Sequence, residues 1–383
     1  MLMTPTEPLP IAPAPTAIEL DAFDCATARS LRLRPLGLLN GSAAIAAIAN
    51  GAALPLAGGD SAFPLVEVLA RTPERIVAAL ASLRRLRVWA SAQGEHQRHR
   101  IETQLSRLSA KREAWAGLSF DAPLVMGIVN VTPDSFYTGA GDDAQKAIAL
   151  GRAMLTAGAR ILDIGGESTQ PGAAPVSAED EIRRLEPVVR ALANIGAVIS
   201  VDTRKASVMQ AAVSWGARII NDVSALADSG SVDVIARTGA AVVLMHMRGE
   251  PGTMQQAPSY DLASLEIGDY LAQRIAACEE AGVPLHRIVV DPGIGFGKAV
   301  EHNLEILGRL SLLHGLGCGV LIGLSRKSTI GRVSGGTPVE ARLPGSIAGA
   351  LYALQQGAQI LRVHDVAETC QAVAMWQAMA GGA

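Results

Sequence analysis

The chain of 383 residues is 49 % apolar yet only 3 % aromatic, holds 39 glycines and carries a formal net charge of −3. That length suits one large α/β domain of about 250 residues with an addition, and a core of Ala, Val, Ile and Leu suits helices layered on parallel strands, which excludes a disordered chain. The near-neutral charge excludes a general attraction to nucleic acid or anionic lipid, so small-molecule substrates are expected and phosphate chemistry must come from a local site.

Residues 1–17 are rich in Pro, Ala and Thr with few large apolar side chains. They are expected to be disordered, with structure beginning near Leu31. Glu7, Glu19 and several prolines stand where an export signal would need basic and then apolar residues, so none is expected. The uncharged run 37–57 is mostly Ala and Gly with Asn40, Asn50 and Pro55 inside, so no membrane span is expected either. From 64 to 108 the spacing of Leu65, Val68, Leu69, Ile76, Ala79, Leu80, Leu83 and Leu86 predicts two or three helices with arginines on the other face. Residues 1–120 thus read as a mainly helical N-terminal extension, and its charge of +3 against −6 for residues 121–383 suits docking on the remainder. His96 and His99 could share a helical face, but no Cys or carboxylate completes a metal site. Acids interrupt the basic stretch from Arg84 to Arg112 and no aromatics accompany it, so it reads as a solvated face rather than a nucleic-acid patch. Cys25, Cys278, Cys318 and Cys370 form no CxxC pair, which points to free thiols and a cytoplasmic location.

After residue 121 short apolar runs recur at 124–131, 161–166, 198–203, 219–224, 242–246, 288–293, 320–325 and 360–365, each separated by enough chain for a helix. Continuous apolarity marks strands buried on both faces, and eightfold alternation predicts an α/β fold of the (β/α)8 TIM barrel type over 121–383. An open doubly wound sheet is the alternative, disfavoured because no GxGxxG follows the first strand.

In such a barrel the chemistry lies where strands end. The strand ends here are polar throughout: Asn130, Glu167 with Thr169, Asp202, Asn221 with Asp222, His246, Asp291, Lys327, and Arg362 with His364. One such residue is commonly a cap or a satisfied buried group. Eight sets converging on one face are not explained by capping. Asp202, Asn221, Asp291 and Lys327 offer the acceptors and donors that suit a flat heterocycle with an amino-pyrimidinone edge. Asn130, Arg362 and His364, with Thr169 beside them, suit an anionic group such as phosphate, with a Mg2+ ion that needs only one or two protein oxygens.

The ordered motifs NVTPDSF (130–136), GGEST (165–169), SVDT (200–203), IINDV (219–223), LMHM (244–247), DPGIGFGK (291–298), GLSRKS (323–328) and RVHDV (362–366) resemble those of the dihydropteroate synthases, across all of 121–383 and none of 1–120. The resemblance implies condensation of dihydropterin pyrophosphate with p-aminobenzoate to dihydropteroate and pyrophosphate. It implies catalytic roles for Asn130, Lys327, Arg362 and His364, with Asn130 also on the magnesium. Asp202, Asn221, Asp291 and Lys327 would hold the pterin, with Phe296 from the same motif as Asp291. Thr169 would belong to the diphosphate site, and Phe136, Pro171 and Ser328 to the p-aminobenzoate pocket. A homodimer acting on small molecules, with no nucleic-acid or membrane partner, is expected.

Two positions depart from the family pattern: Thr138 stands where an Asp is usual and Gln170 where an Arg is usual, which bears on turnover rather than on pterin binding. A pterin-dependent methyltransferase would share the barrel but has no need of the GLSRKS and RVHDV clusters. A pterin-binding paralogue with weak or no synthase activity is the alternative from another class, since fold and binding residues alone do not establish turnover.

Overall fold

The computed structural model describes residues 12–23, 28–131, 144–168, 175–250 and 252–381. The extension is not mainly helical. Its strands are β1 (Thr16–Ala17), β2 (Ser30–Leu36), β3 (Leu54–Pro55), β4 (Ala62–Phe63), β5 (Leu65–Arg71) and β6 (Ile76–Ser82), and its helices α1 (Gly41–Ala49), α2 (Leu83–Ala92) and α3 (Glu95–Ser109). β1, β6, β5 and β2 form one sheet in that order, while β3 and β4 pair separately.

Of the two or three helices predicted over 64–108, α2 and α3 account for the later part, while 65–82 is instead a hairpin, because a period of two carries the burial. Val66, Val68 and Ala70 face Ala81, Ala79 and Val77 in register, and all six are buried. Alternation of this kind turns one face of a strand to a core. Here the core is completed by Leu31 and Leu33 of β2 with Leu86, Trp89, Ile101, Leu105 and Leu108 of α2 and α3. Thr72 closes the turn, its N–H and hydroxyl both donating to the Arg75 carbonyl at 2.9 and 2.8 Å. Part of the stretch expected to be disordered is also ordered, since Thr16 and Ala17 pair with Val77 and Ala78. Residues 1–11 lie outside the described residues.

β2 is an edge strand, and Gln104 of α3 covers it. Its amide donates to the Leu31 carbonyl at 3.1 Å and accepts from the Leu33 N–H at 3.1 Å. An apolar replacement would leave both backbone groups buried without partners, at about 1–3 kcal/mol each. Gln104→Met is therefore expected to lower the unfolding free energy by about 2–4 kcal/mol, read from a urea titration. An unchanged midpoint would remove Gln104 from this role.

The opposite face of the sheet docks on the barrel through its arginines. Arg32 donates to Asp269 at 3.0 Å and to the Gly268 carbonyl at 3.2 Å, Ser30 donates to Asp269 at 2.8 Å, and Arg34 donates to the Gly308 carbonyl at 2.6 Å. The ion pairs across this contact run in both senses, since Glu67 of β5 takes Arg309 at 3.6 Å.

The remainder runs β7 (Leu124–Asn130), α4 (Ala144–Thr156), β8 (Ile161–Gly165), α5 (Ala178–Ala193), β9 (Ile199–Asp202), α6 (Ala206–Ser214), β10 (Ile219–Asp222), α7 (Ser231–Thr238) and β11 (Ala241–Met245). It continues with α8 (Ala263–Glu280), β12 (Ile288–Asp291), α9 (Val300–Gly308), β13 (Gly319–Ile322), α10 (Ser328–Val333), α11 (Leu343–Gln355), β14 (Ile360–Val363) and α12 (Val366–Gly381). Among the described residues β7 to β14 close into a parallel eight-stranded barrel, with β14 paired back to β7. Met126, Ile161, Ile219, Val243, Val289, Leu321 and Ile360 fill its interior, and Trp115 and Leu118 close the floor. The barrel core therefore begins a few residues before 121, with the Trp115 indole N–H held by the Arg287 carbonyl at 3.0 Å. No helix among the described residues is long and apolar enough to cross a membrane.

Candidate active site at the barrel mouth

Because all eight strands run the same way, their polar C-terminal residues meet on one face. Asn221 lies in register with Asp202, Asp202 with Gly165, and Gly165 with Asn130. Gly165 leaves room between its neighbours: a Cβ there would stand 3.5 Å from the Asn130 Oδ1 and 3.6 Å from the Asp202 Cβ.

The centre of this face is a residue that pattern reading passed over. Asp163, inside β8 and fully buried, accepts the Ser200 hydroxyl at 2.6 Å, the Asn221 amide at 3.0 Å and the Arg362 Nε at 2.6 Å. Arg362 then reaches Asp202 Oδ2 at 2.7 Å through its terminal nitrogen. One guanidinium thus bridges two buried carboxylates while Asn221 is oriented from below. A charge in the middle of the apolar run ILDIG was the available signal, since a buried ion must be paired.

Across the mouth, Asp291 accepts the Gly293 N–H at 2.7 Å. Lys327 donates to the Ile294 carbonyl and stands 4.6 Å above the centre of the half-buried Phe296 ring. Asn303 ties the same loop to α10, accepting from the Gly295 N–H at 2.8 Å and donating to the Thr329 hydroxyl at 3.0 Å. Ser328 opens α10 and is exposed.

Electrostatics differ from one residue to the next. Burial pushes the Asp202 carboxyl up to about 7 against the pull of Arg362, and brings Lys327 down to about 8 against the attraction of Asp291. Burial opposes the charge on Arg362, but Asp163 and Asp202 hold its pKa above the ordinary value. Burial, aided by Arg362 and Arg326, takes His364 down to about 4, so it is neutral at pH 7. Ser325 Oγ accepts the His364 backbone N–H at 3.2 Å and lies 3.0 Å from its Nδ1. The direction of the Ser325–Nδ1 bond follows the ring tautomer, and in either direction it fixes the orientation of the neutral imidazole.

Other polar strand ends serve the frame. Asp222 caps a turn through Ser224 and Leu226, Glu167 pairs with Lys205 at 2.6 Å and Arg204 at 3.3 Å, and His246 lies 2.9 Å from the buried Lys298. In GLSRKS, Arg326 is taken up by both oxygens of Asp365. Phe136, Tyr137, Thr138, Thr169, Gln170 and Pro171 lie outside the described residues.

Kcat/KM reports ionisations of the free enzyme. Asp202 must be ionised to accept paired N–H donors, a state gained as pH rises through about 7, and Lys327 loses its charge above about 8. A narrow bell between these limbs is expected for the heterocyclic substrate, and Asp202→Asn should abolish the acid limb. A profile flat from pH 6 to 9 would refute the assignment.

The sequence pattern of the family described as pterin binding enzyme matches residues 126–364. The dihydropteroate synthase of Escherichia coli (strain K12) is 47% identical over 263 residues, covering 68% of this chain and 93% of that protein. A Xanthomonas albilineans dihydropteroate synthase solved with 4-aminobenzoic acid is 47% identical, with TM-score 0.65 over 70% of this chain and 97% of that one. The enzyme from the same organism in complex with 7,8-dihydropteroate is 44% identical, with TM-score 0.62 over 70% of this chain and 98% of that one.

Proposed function

The chain belongs to the pterin-binding enzyme family and acts as a dihydropteroate synthase in folate biosynthesis, and from that premise we propose how its residues divide the reaction between dihydropterin pyrophosphate and p-aminobenzoate. The arylamine nitrogen forms a bond to the pterin methylene carbon, the carbon–oxygen bond to pyrophosphate breaks, and the amine proton leaves with the departing groups. An arylamine is already a neutral nucleophile, so the main protein contribution is stabilisation of a pterin cation and a pyrophosphate anion as they separate.

The observation that carries this division is the buried Asp163–Arg362–Asp202 bridge with Asn221 beside it. Asp202, once its second partner is the pterin, accepts from the amino-pyrimidinone edge, and Asn221 meets the same edge. Asp291 takes up positive charge on the heterocycle, while Lys327 and Phe296 flank it. Arg362 and the neutral His364 ring face the pyrophosphate, and Ser328 at the rim faces p-aminobenzoate.

Asn130 would hold a Mg2+ ion, which would neutralise pyrophosphate charge as the bond breaks. The donor set fits an ion carried by the diphosphate rather than a resident metal, since no group of three or more His, Cys, Asp and Glu side chains gathers among the described residues and Mg2+ keeps most of its waters. A homodimer is supported by Tyr352 of α11 and by Met375 and Met379 of α12, which stay exposed. A cytoplasmic location is supported by the unbridged thiols of Cys278, Cys318 and Cys370.

The test is pyrophosphate release from dihydropterin pyrophosphate, with and without p-aminobenzoate. Release that depends on the arylamine is expected. Pterin binding by calorimetry without such release would mark a non-catalytic pterin-binding protein instead.

A further inference from the structure

We propose that the N-terminal extension positions the pterin pocket, with Arg71 as its positioning residue. Arg71 ends β5 on the face turned to the barrel and lies outside the family match, which starts at residue 126. Its guanidinium pairs with Asp261 at 2.6 Å and with Glu266 at 3.2 Å, at the entry to α8. The other oxygen of Glu266 accepts from Arg248 at 2.9 Å. Arg248 in turn donates to the Ser259 carbonyl and lies 3.9 Å over the centre of the Tyr260 ring. The buried Tyr260 hydroxyl donates to the Gly297 carbonyl at 2.9 Å.

Gly297 is the neighbour of Phe296 in the loop that holds Lys327. The segment after β11 and the loop after β12 are in contact with no room for a side chain between them: a Cβ on Gly297, which has φ +65°, would stand 2.2 Å from the Arg248 carbonyl oxygen, and one on Gly293, with φ +68°, 2.0 Å from that of His246. Lys298 fastens the same two loops, donating to the His246 carbonyl at 3.2 Å and the Phe296 carbonyl at 2.9 Å. Contacts therefore run without a break from Arg71 through Glu266, Arg248, Tyr260 and Gly297 to Phe296 and Lys327. A positional error of about 1 Å at a binding group is costly even when its cause is remote. Every motif of the chemistry lies after residue 121, yet one wall of the pocket is held from before it.

This inference rests on the synthase reading, and one assay separates the two. In the full chain, Arg71→Ala is expected to raise the KM and the dissociation constant for dihydropterin pyrophosphate about 3- to 10-fold, with kcat changed less than about twofold, a split between binding and turnover that general loss of stability does not produce. Arg71→Lys should recover most of the loss. Tyr260→Phe should give a similar increase, and Arg71→Ala with Tyr260→Phe should be no worse than about the larger single effect, because both cut one path. A folded Arg71→Ala chain with unchanged pterin affinity overturns the inference. So does a fully additive pair, or an effect of Tyr260→Phe without one of Arg71→Ala. Absence of pyrophosphate release from the unmodified chain would instead overturn the synthase reading, leaving the calorimetric arm to decide on Arg71.

Discussion

Arg362→Ala is expected to lower kcat/KM for dihydropterin pyrophosphate by about a thousandfold and to destabilise the fold as well. Arg362 is the cation shared by Asp163 and Asp202, which are buried at 0% and 8% exposure. Removing one member of a buried ion pair typically costs about 3–5 kcal/mol, because the partner is left charged and dry. Removing an electrostatic contact to the developing charges costs a further factor of about 100 to 1,000 in rate. Urea denaturation and the pyrophosphate assay read the two losses separately. Arg362→Lys should recover part of the stability but little of the rate, since an ammonium cannot serve Asp163 through one nitrogen and Asp202 through another in the planar fork that the guanidinium provides. A variant as stable and as active as the parent chain would show that the bridge does neither job.

The second large effect is expected at Asp163. Asp163→Asn keeps the shape of the side chain and, with its NH2 turned to Ser200 Oγ, still offers one oxygen to Asn221 Nδ2 and Arg362 Nε, but it removes the charge that faces the guanidinium. The loss of a charged hydrogen bond of this kind costs about 2–3 kcal/mol. Pterin affinity is expected to fall about 30- to 100-fold, because the two residues that Asp163 orients are both proposed to face the ligand. The pair Asp163→Asn with Arg362→Gln removes both charges, so stability should recover well above the sum of the single losses while turnover stays absent. Denaturation midpoints of the two single variants and the double variant measure this coupling. Additive losses would place the two residues in separate networks.

Much of the site was legible because parallel strands in a barrel leave no choice about where their ends meet. Asn130, Asp202, Asn221, Asp291, Lys327, Arg362 and His364 each follow an apolar run, and closure of β7 to β14 brings them to one mouth. Their residue types also motivate the proposed division between heterocycle and anion contacts. What the pattern could not reveal was the division within that set. Asp222 and Glu167 look like Asp202 in sequence, yet one caps a turn and the other pairs with Lys205. Residue type groups His364 with the anion ligands, and only its burial shows that it is neutral at pH 7.

The sequence by itself determined the barrel, its order and its polar mouth, because burial on both faces writes a continuous apolar run into each strand and the following turn writes its own polar residues. Only the tertiary structure decided the rest. The hairpin at 65–82 shares its spacing with a helix, and what makes it a sheet is β2, some thirty residues earlier, together with a core supplied by α2 and α3. Asp163 is one carboxylate in an apolar stretch until Ser200, Asn221 and Arg362 arrive from three other strands. Arg71 is one arginine among many until folding sets it against Glu266. Periodicity records which side of a segment is dry, a property of neighbours in the chain. Charge pairing and strand pairing depend on partners tens to hundreds of residues away, and only the folded chain brings those within a few ångströms.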